Sequence, residues 1–152
     1  MLTLTPFLWF DTQAEEAMNF YASIFPDAKV IDVNRAGDRV IAVTYELQGQ
    51  RFIGLNAGPH FKFNEAVSFF VGCDTQAQID ELWTKLIAGG GSPSQCGWLK
   101  DKFGLSWQIV PNSLGGLLSG GGDPARARRV MDTMLALQKM DIARLQQAYD
   151  AK

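Results

Sequence analysis

The sequence predicts an α+β fold made of two tandem β-α-β-β-β modules followed by a C-terminal helix, and two observations carry that expectation. The tetrapeptide Asp11-Thr12-Gln13-Ala14 recurs 63 residues later as Asp74-Thr75-Gln76-Ala77. Self-similarity at a fixed spacing marks repeated supersecondary units. In both copies the tetrapeptide ends a short aromatic or β-branched run and opens a stretch with apolar residues at three-and-four spacing. That change of period is a strand passing into an amphipathic helix.

In chain order, Pro6 to Phe10 reads as the first strand, and Thr12 with Glu15 as a capping box for the helix behind it. Ala14, Ala17, Met18, Tyr21 and Ile24 form the apolar stripe of that helix, and Pro26-Asp27 stops it. Lys29 to Arg35, Val40 to Leu47 and Arg51 to Asn56 then read as a meander turning at Ala36-Gly37-Asp38 and Gln48-Gly49-Gln50. The second copy begins with Val67 to Cys73, and Thr75 with Gln78 repeats the capping box. Ile79, Leu82, Trp83, Leu86 and Ile87 make its stripe, Gly89-Gly90-Gly91 breaks it, and Trp83 falls where Phe20 stands in the first copy. A short strand near Ser92 to Ser94 precedes Gly97 to Lys100 and Leu105 to Val110, which flank the hairpin loop Asp101-Lys102-Phe103-Gly104. Beyond the glycine clusters 115–116 and 120–122, Asp123-Pro124 supplies an N-cap and a first-turn proline for one long helix with an apolar face from Val130 to Tyr149. The expected organisation is a single domain over 1–152, with module one about 3–57, module two about 66–112 and the helical extension about 123–150.

Charge and composition narrow the partners. The chain has 14 Lys+Arg against 16 Asp+Glu and no long basic run, which argues against nucleic acid. No apolar run is long enough to span a bilayer, and the amino terminus lacks the charged start and apolar core of a secretory signal, so the expected location is the cytoplasm. Cys73 and Cys96 accordingly read as free thiols. Ten Phe, four Trp and three Tyr are enough to line a cavity as well as fill a core.

The modular pattern resembles the vicinal oxygen chelate superfamily, which includes glyoxalase I, extradiol dioxygenases and bleomycin-binding proteins. Phe63 to Phe69, Cys73-Asp74-Thr75-Gln76, Gly89-Gly90, the run Cys96 to Gly104 and Trp107 to Pro111 narrow the resemblance to the PhnB-like branch, often labelled 3-demethylubiquinone-9 3-methyltransferase. The similarity covers nearly the whole chain. The label itself gains nothing from the residues, because neither glycine cluster follows a first strand as a donor-binding loop does in a common methyltransferase.

The resemblance implies a divalent metal held by His, Glu or Gln from four strands, polarising a substrate with two neighbouring oxygens. Carried over strand by strand, those positions fall near Thr5 or Pro6, near Gly54, at Ser68 and at Gln108. Only Gln108 is a ligand type, and a lone amide oxygen is a weak one, so neither the usual metal nor another cofactor is expected.

What remains is a pocket. Trp9, Asn56, Ser68, Trp98, Trp107 and Gln108 fall on strands that in this fold curve around a cleft, with Phe61 and Phe63 on a loop placed to cover it. Aromatics with a few directional polar groups are the usual make-up of a small-molecule site. Strand alternation sets Trp107 and Gln108 on opposite faces, so both can line one cleft only across a bulge. Cys96 is a candidate nucleophile and His60, the single histidine, a candidate base; the plainer readings are a packed thiol and a solvent-facing ring. Arg126, Arg128 and Arg129 oppose the dipole of the last helix and read most simply as a solvated face. The expectation is a metal-independent small-molecule binder, homodimeric as the resemblance implies. The alternatives are a lyase, isomerase or transferase on an oxygen-rich or aromatic metabolite, and a structural module.

Overall fold

A computed structural model describes all residues, Met1–Lys152. The chain forms two compact units, Met1–Lys62 and Phe63–Lys152. The first comprises β1 (Phe7–Phe10), α1 (Ala14–Ile24), β2 (Ala28–Ala36), β3 (Arg39–Leu47) and β4 (Gln50–Asn56). The second comprises β5 (Ser68–Cys73), α2 (Gln76–Ile87), β6 (Ser92–Pro93), β7 (Trp98–Lys100) and β8 (Ser106–Pro111), then α3 (Leu114–Leu118), α4 (Pro124–Leu135) and α5 (Ile142–Asp150). The sheets have matching orders, β1-β4-β3-β2 and β5-β8-β7-β6. In each, the first strand runs parallel to the last and the other pairs are antiparallel. This is the predicted pair of β-α-β-β-β modules.

In the first unit, the five expected stripe residues of α1 are all buried, and they cover a sheet face built from Leu8, Phe10, Val43, Tyr45 and Phe52. Tyr21, Tyr45 and Phe52 stack in sequence, with ring centroids 6.3 and 5.5 Å apart. Gly54 lies on this helix-facing side: a Cβ there would stand 3.0 Å from Val43 Cγ2 and 3.4 Å from Ala14 Cβ, so glycine sets how closely α1 approaches. The expected Thr12–Glu15 capping box does not form, because the N-cap is Gln13 and makes no side-chain bond. Its work is done from the sheet. Asn56 Oδ1 accepts from Ala14 N at 2.9 Å while Asn56 Nδ2 donates to Val40 O at 3.1 Å, and Glu15 pairs with Arg35 instead. At α2 the predicted box does form, with Thr75 and Gln78 bonding each other's backbone.

In the second unit, Ile79, Leu82, Trp83 and Leu86 of α2 are buried against the sheet, though Ile87 is only half-buried. The β7–β8 hairpin is organised by Asp101, which is 2% exposed. Its Oδ1 accepts from Phe103 N and Leu105 N at 2.9 and 3.1 Å, and its Oδ2 accepts from the Trp107 indole N–H at 2.9 Å. Several charge-assisted bonds compensate the loss of hydration of a buried carboxylate.

The single long tail helix of the sequence reading is two helices, broken over residues 136–141. Tertiary bonds claim the backbone there: Leu137 O and Gln138 O accept from Cys96 N and Gly97 N at 2.9 and 2.8 Å, and the Gln76 amide bonds Met140 O and Ile142 N. Lys139 meets Asp80 at 2.6 Å and, with Gln76, holds its carboxyl below the usual carboxylate range. Asp141 then caps α5.

Two stability predictions follow from these bonds. Asp101→Asn keeps the two backbone bonds but sets an amide donor against the Trp107 N–H; it should lower stability by about 2–4 kcal/mol and the thermal midpoint by about 5–10 °C. An unchanged midpoint would show that the hairpin does not depend on this carboxylate. Asn56→Ala should cost about 1–2 kcal/mol as a lost helix cap, whereas Thr12→Ala should stay within about 0.5 kcal/mol, both measurable by urea unfolding.

Candidate functional site

Because Trp107 is tied to Asp101 on the α2 side, alternation along β8 turns Ser106 and Gln108 to the opposite side, here called the far face. Register completes the arrangement. Gln108 pairs with Phe70 on β5 and Trp98 on β7, and Ser106 pairs with Ser68 and Lys100. The far face therefore carries two rows across the strands, Phe70-Gln108-Trp98 and Ser68-Ser106-Lys100. Gln108 Nε2 donates to Ser68 Oγ at 2.9 Å, which joins the rows. Phe70 is 64% exposed, Trp98 is half-buried, and the Lys100 ammonium meets the Glu65 carboxylate.

Of the residues expected to line a cleft, the structure thus brings Ser68, Trp98 and Gln108 together. Trp107, 3% exposed, is instead a core residue, with Phe69 beside it at 5.5 Å between ring centroids. Phe63 is half-buried at the start of the second unit. In the first unit, Trp9 donates its indole N–H to Gly58 O at 2.9 Å, and the loop folds back so that Phe61 meets it edge-on at 4.9 Å and His60 at 6.4 Å. Asn56 is committed to the helix cap described above. This unit also holds a concavity of about 840 Å³ beside the start of α1, bordered by the charged Asp11, Glu15, Glu16, Asp38 and Arg39 and lined as well by Val40, Ala57 and the expected cleft residue Asn56.

Of the two candidate catalytic residues, His60 is exposed on its loop beside Trp9, while Cys96 has a structural role. Cys96 takes a left-handed conformation at φ 57°, and its thiol donates to Met134 O at 3.6 Å, beside the backbone bonds that dock the tail. Burial, with the charge of Asp74, pushes the Cys73 thiol above its ordinary pKa. Arg129 bonds Ala148 O and Ala151 O at the end of α5, and Arg126 lies over the Tyr149 ring at 4.8 Å. The sequence reading foresaw none of this arginine use, since the break between α4 and α5 that makes it possible was not predicted.

The positions at which the fold usually holds a metal carry other chemistry. Thr5, Pro6 and Gly54 supply no suitable ligand, and Gly54 faces α1. Ser68 and Gln108 bond each other, and no three His, Cys, Asp or Glu side chains converge anywhere in the chain. The residues do not fit the usual ligand set. Phe70, Lys100, Ser106 and Glu65 were missed from sequence. Phe70 lies two residues beyond Ser68, so period-two alternation was a usable signal for it, whereas the Lys100 and Ser106 row depends on strand register.

Comparisons with known proteins agree with this architecture. The chain is similar at 33% identity to the PhnB protein from Bacillus cereus, over 72% of this chain and 99% of that one, with a TM-score of 0.67. Protein PA1353 from Pseudomonas aeruginosa shares the fold at 17% identity, over 73% of this chain and 98% of that one, with a TM-score of 0.64. A glyoxalase/bleomycin resistance protein from Albidiferax ferrireducens T118 does so at 13% identity, over 74% and 99% of the two chains, with a TM-score of 0.51. No curated protein matches. Residues 3–110 match the family described as 3-demethylubiquinone-9 3-methyltransferase, and the chain belongs to that PhnB-like family, on the glyoxalase/bleomycin resistance fold.

Proposed function

We propose that the chain is a cytoplasmic small-molecule-binding protein that holds a planar, oxygen-bearing metabolite against the far face of its second module, without the metal usual to the fold. One observation carries this reading: the Gln108–Ser68 bond lies between two aromatic side chains on one sheet face. Phe70 and Trp98 offer ring surface, and the polar pair retains an amide carbonyl acceptor and a hydroxyl donor. Apolar walls with few directional groups bind by burial and select by hydrogen bonding. Cys96 and His60 do not support a covalent or acid–base reaction, since the thiol is spent on Met134 O and the imidazole is exposed beside Trp9.

The proposal includes a homodimer. Its support is β2, which lies at the edge of the first sheet and exposes Val30 and Ile31. A long edge strand with apolar side chains favours pairing with another chain. No helix is long and apolar enough to cross a membrane.

Two measurements test this function. Salicylamide, a flat ring with neighbouring oxygens, should shift the Trp98 indole and Gln108 amide resonances saturably, with a dissociation constant of about 1 mM as befits a probe of its size. Gln108→Leu should weaken that binding at least about fivefold while moving stability by less than about 1 kcal/mol; unchanged affinity would make Gln108 scaffold. Sedimentation equilibrium should give twice the chain mass of 16.8 kDa, and a single-chain mass at micromolar concentration would refute the dimer.

A further inference from the structure

We propose that the far face selects a ligand carrying an acid group, and that Glu65 is the internal carboxylate such a ligand displaces from Lys100. This rests on the function proposed above and adds the charge of the ligand. Its first support is the second cross-strand row, in which Ser106 stands between its register partners Ser68 and Lys100. Side chains directly opposite on one sheet face lie within contact of one another. Ser106 is 1% exposed, and its Oγ has no hydrogen-bond partner. A buried hydroxyl left unpaired is costly, and its retention on a face that otherwise pairs its polar groups points to a group supplied from outside.

The second support is independent of the first. Lys100 Nζ is held not by a residue of the sheet but by Glu65, on the stretch ahead of β5. The bond from Lys100 keeps the Glu65 carboxyl below the usual carboxylate range. Both side chains are substantially exposed, at 40% and 62%, and exposed ion pairs contribute little to stability. An incoming anion can therefore replace Glu65 at small cost. It gains the ammonium and the Ser106 hydroxyl, while its ring lies along Phe70, Gln108 and Trp98 in the neighbouring row. Such charge-assisted bonds are stronger than those to a neutral amide. Carboxylate and phosphate share this chemistry.

The test compares benzoate, phenyl phosphate and neutral benzamide, titrated into the wild-type protein, Glu65→Gln and Lys100→Met and followed by the Trp98 and Gln108 side-chain resonances. Glu65→Gln removes the internal competitor and should tighten binding of an acid probe about two- to fivefold without changing benzamide. Lys100→Met should abolish the preference for acid over amide. Whichever acid gains more from Glu65→Gln distinguishes a carboxylate ligand from a phosphate. If Glu65→Gln leaves the acids unchanged, or affects benzamide equally, the acid-binding inference is overturned while the aromatic face stands. If none of the three probes binds any of the proteins, the inference falls together with the proposed function.

Discussion

The buried carboxylate of Asp101 is the constraint on which the second module turns. By taking the indole N–H of Trp107, it fixes which side of β8 faces α2 and therefore which side Gln108 and Ser106 present. A one-residue slip of β8 would carry Trp107 to the far face and bury Gln108 under the helix, because strand side chains alternate. The same carboxylate closes the Asp101–Gly104 turn through Phe103 N and Leu105 N, so turn, register and face orientation share one anchor. The conspicuous run from Trp98 to Trp107 thus has a largely architectural meaning. Its far-face members are the residues that alternate away from that anchor.

Much of the fold was legible because its signals are local. The repeated tetrapeptide, the stripes of α1 and α2 and the Thr75–Gln78 box depend on residues a few positions apart. The failures are non-local. Nothing near Thr12 reveals that Asn56, 42 residues from Ala14, caps α1. Likewise, the apolar periodicity from Val130 to Tyr149 persists across the break, while the bonds that break it come from Cys96, Gly97 and Gln76. The site divides in the same way. The strand placement of Ser68, Trp98 and Gln108 was legible locally, whereas the side Trp107 faces depends on an indole partner across a hairpin, and Ser106 comes beside Ser68 and Lys100 only through register.

The family's label names a methyl transfer, and the architecture offers a different setting. Neither sheet is a doubly wound parallel sheet, and the glycine clusters lie after α2, within α3 or just behind it rather than after a first strand. Function resides in the site rather than in the fold. Here the chemistry-bearing side chains of the far face are an amide, two hydroxyls and an ammonium, a set suited to recognition by hydrogen bonding and charge.

The parallel pairing of first and last strands has a consequence for how the protein is made. β1 has no partner until β4 has been synthesised, and β5 none until β8, so each sheet closes only when its whole module is available. Long-range closures of this kind are slow because the loop must be ordered before the contact rewards it. The ribosome adds residues at about 5–20 per second, which leaves the first unit several seconds to close while the second is still being made. Synthesis order thus separates two similar modules in time, before the strands of one are available to mispair with those of the other.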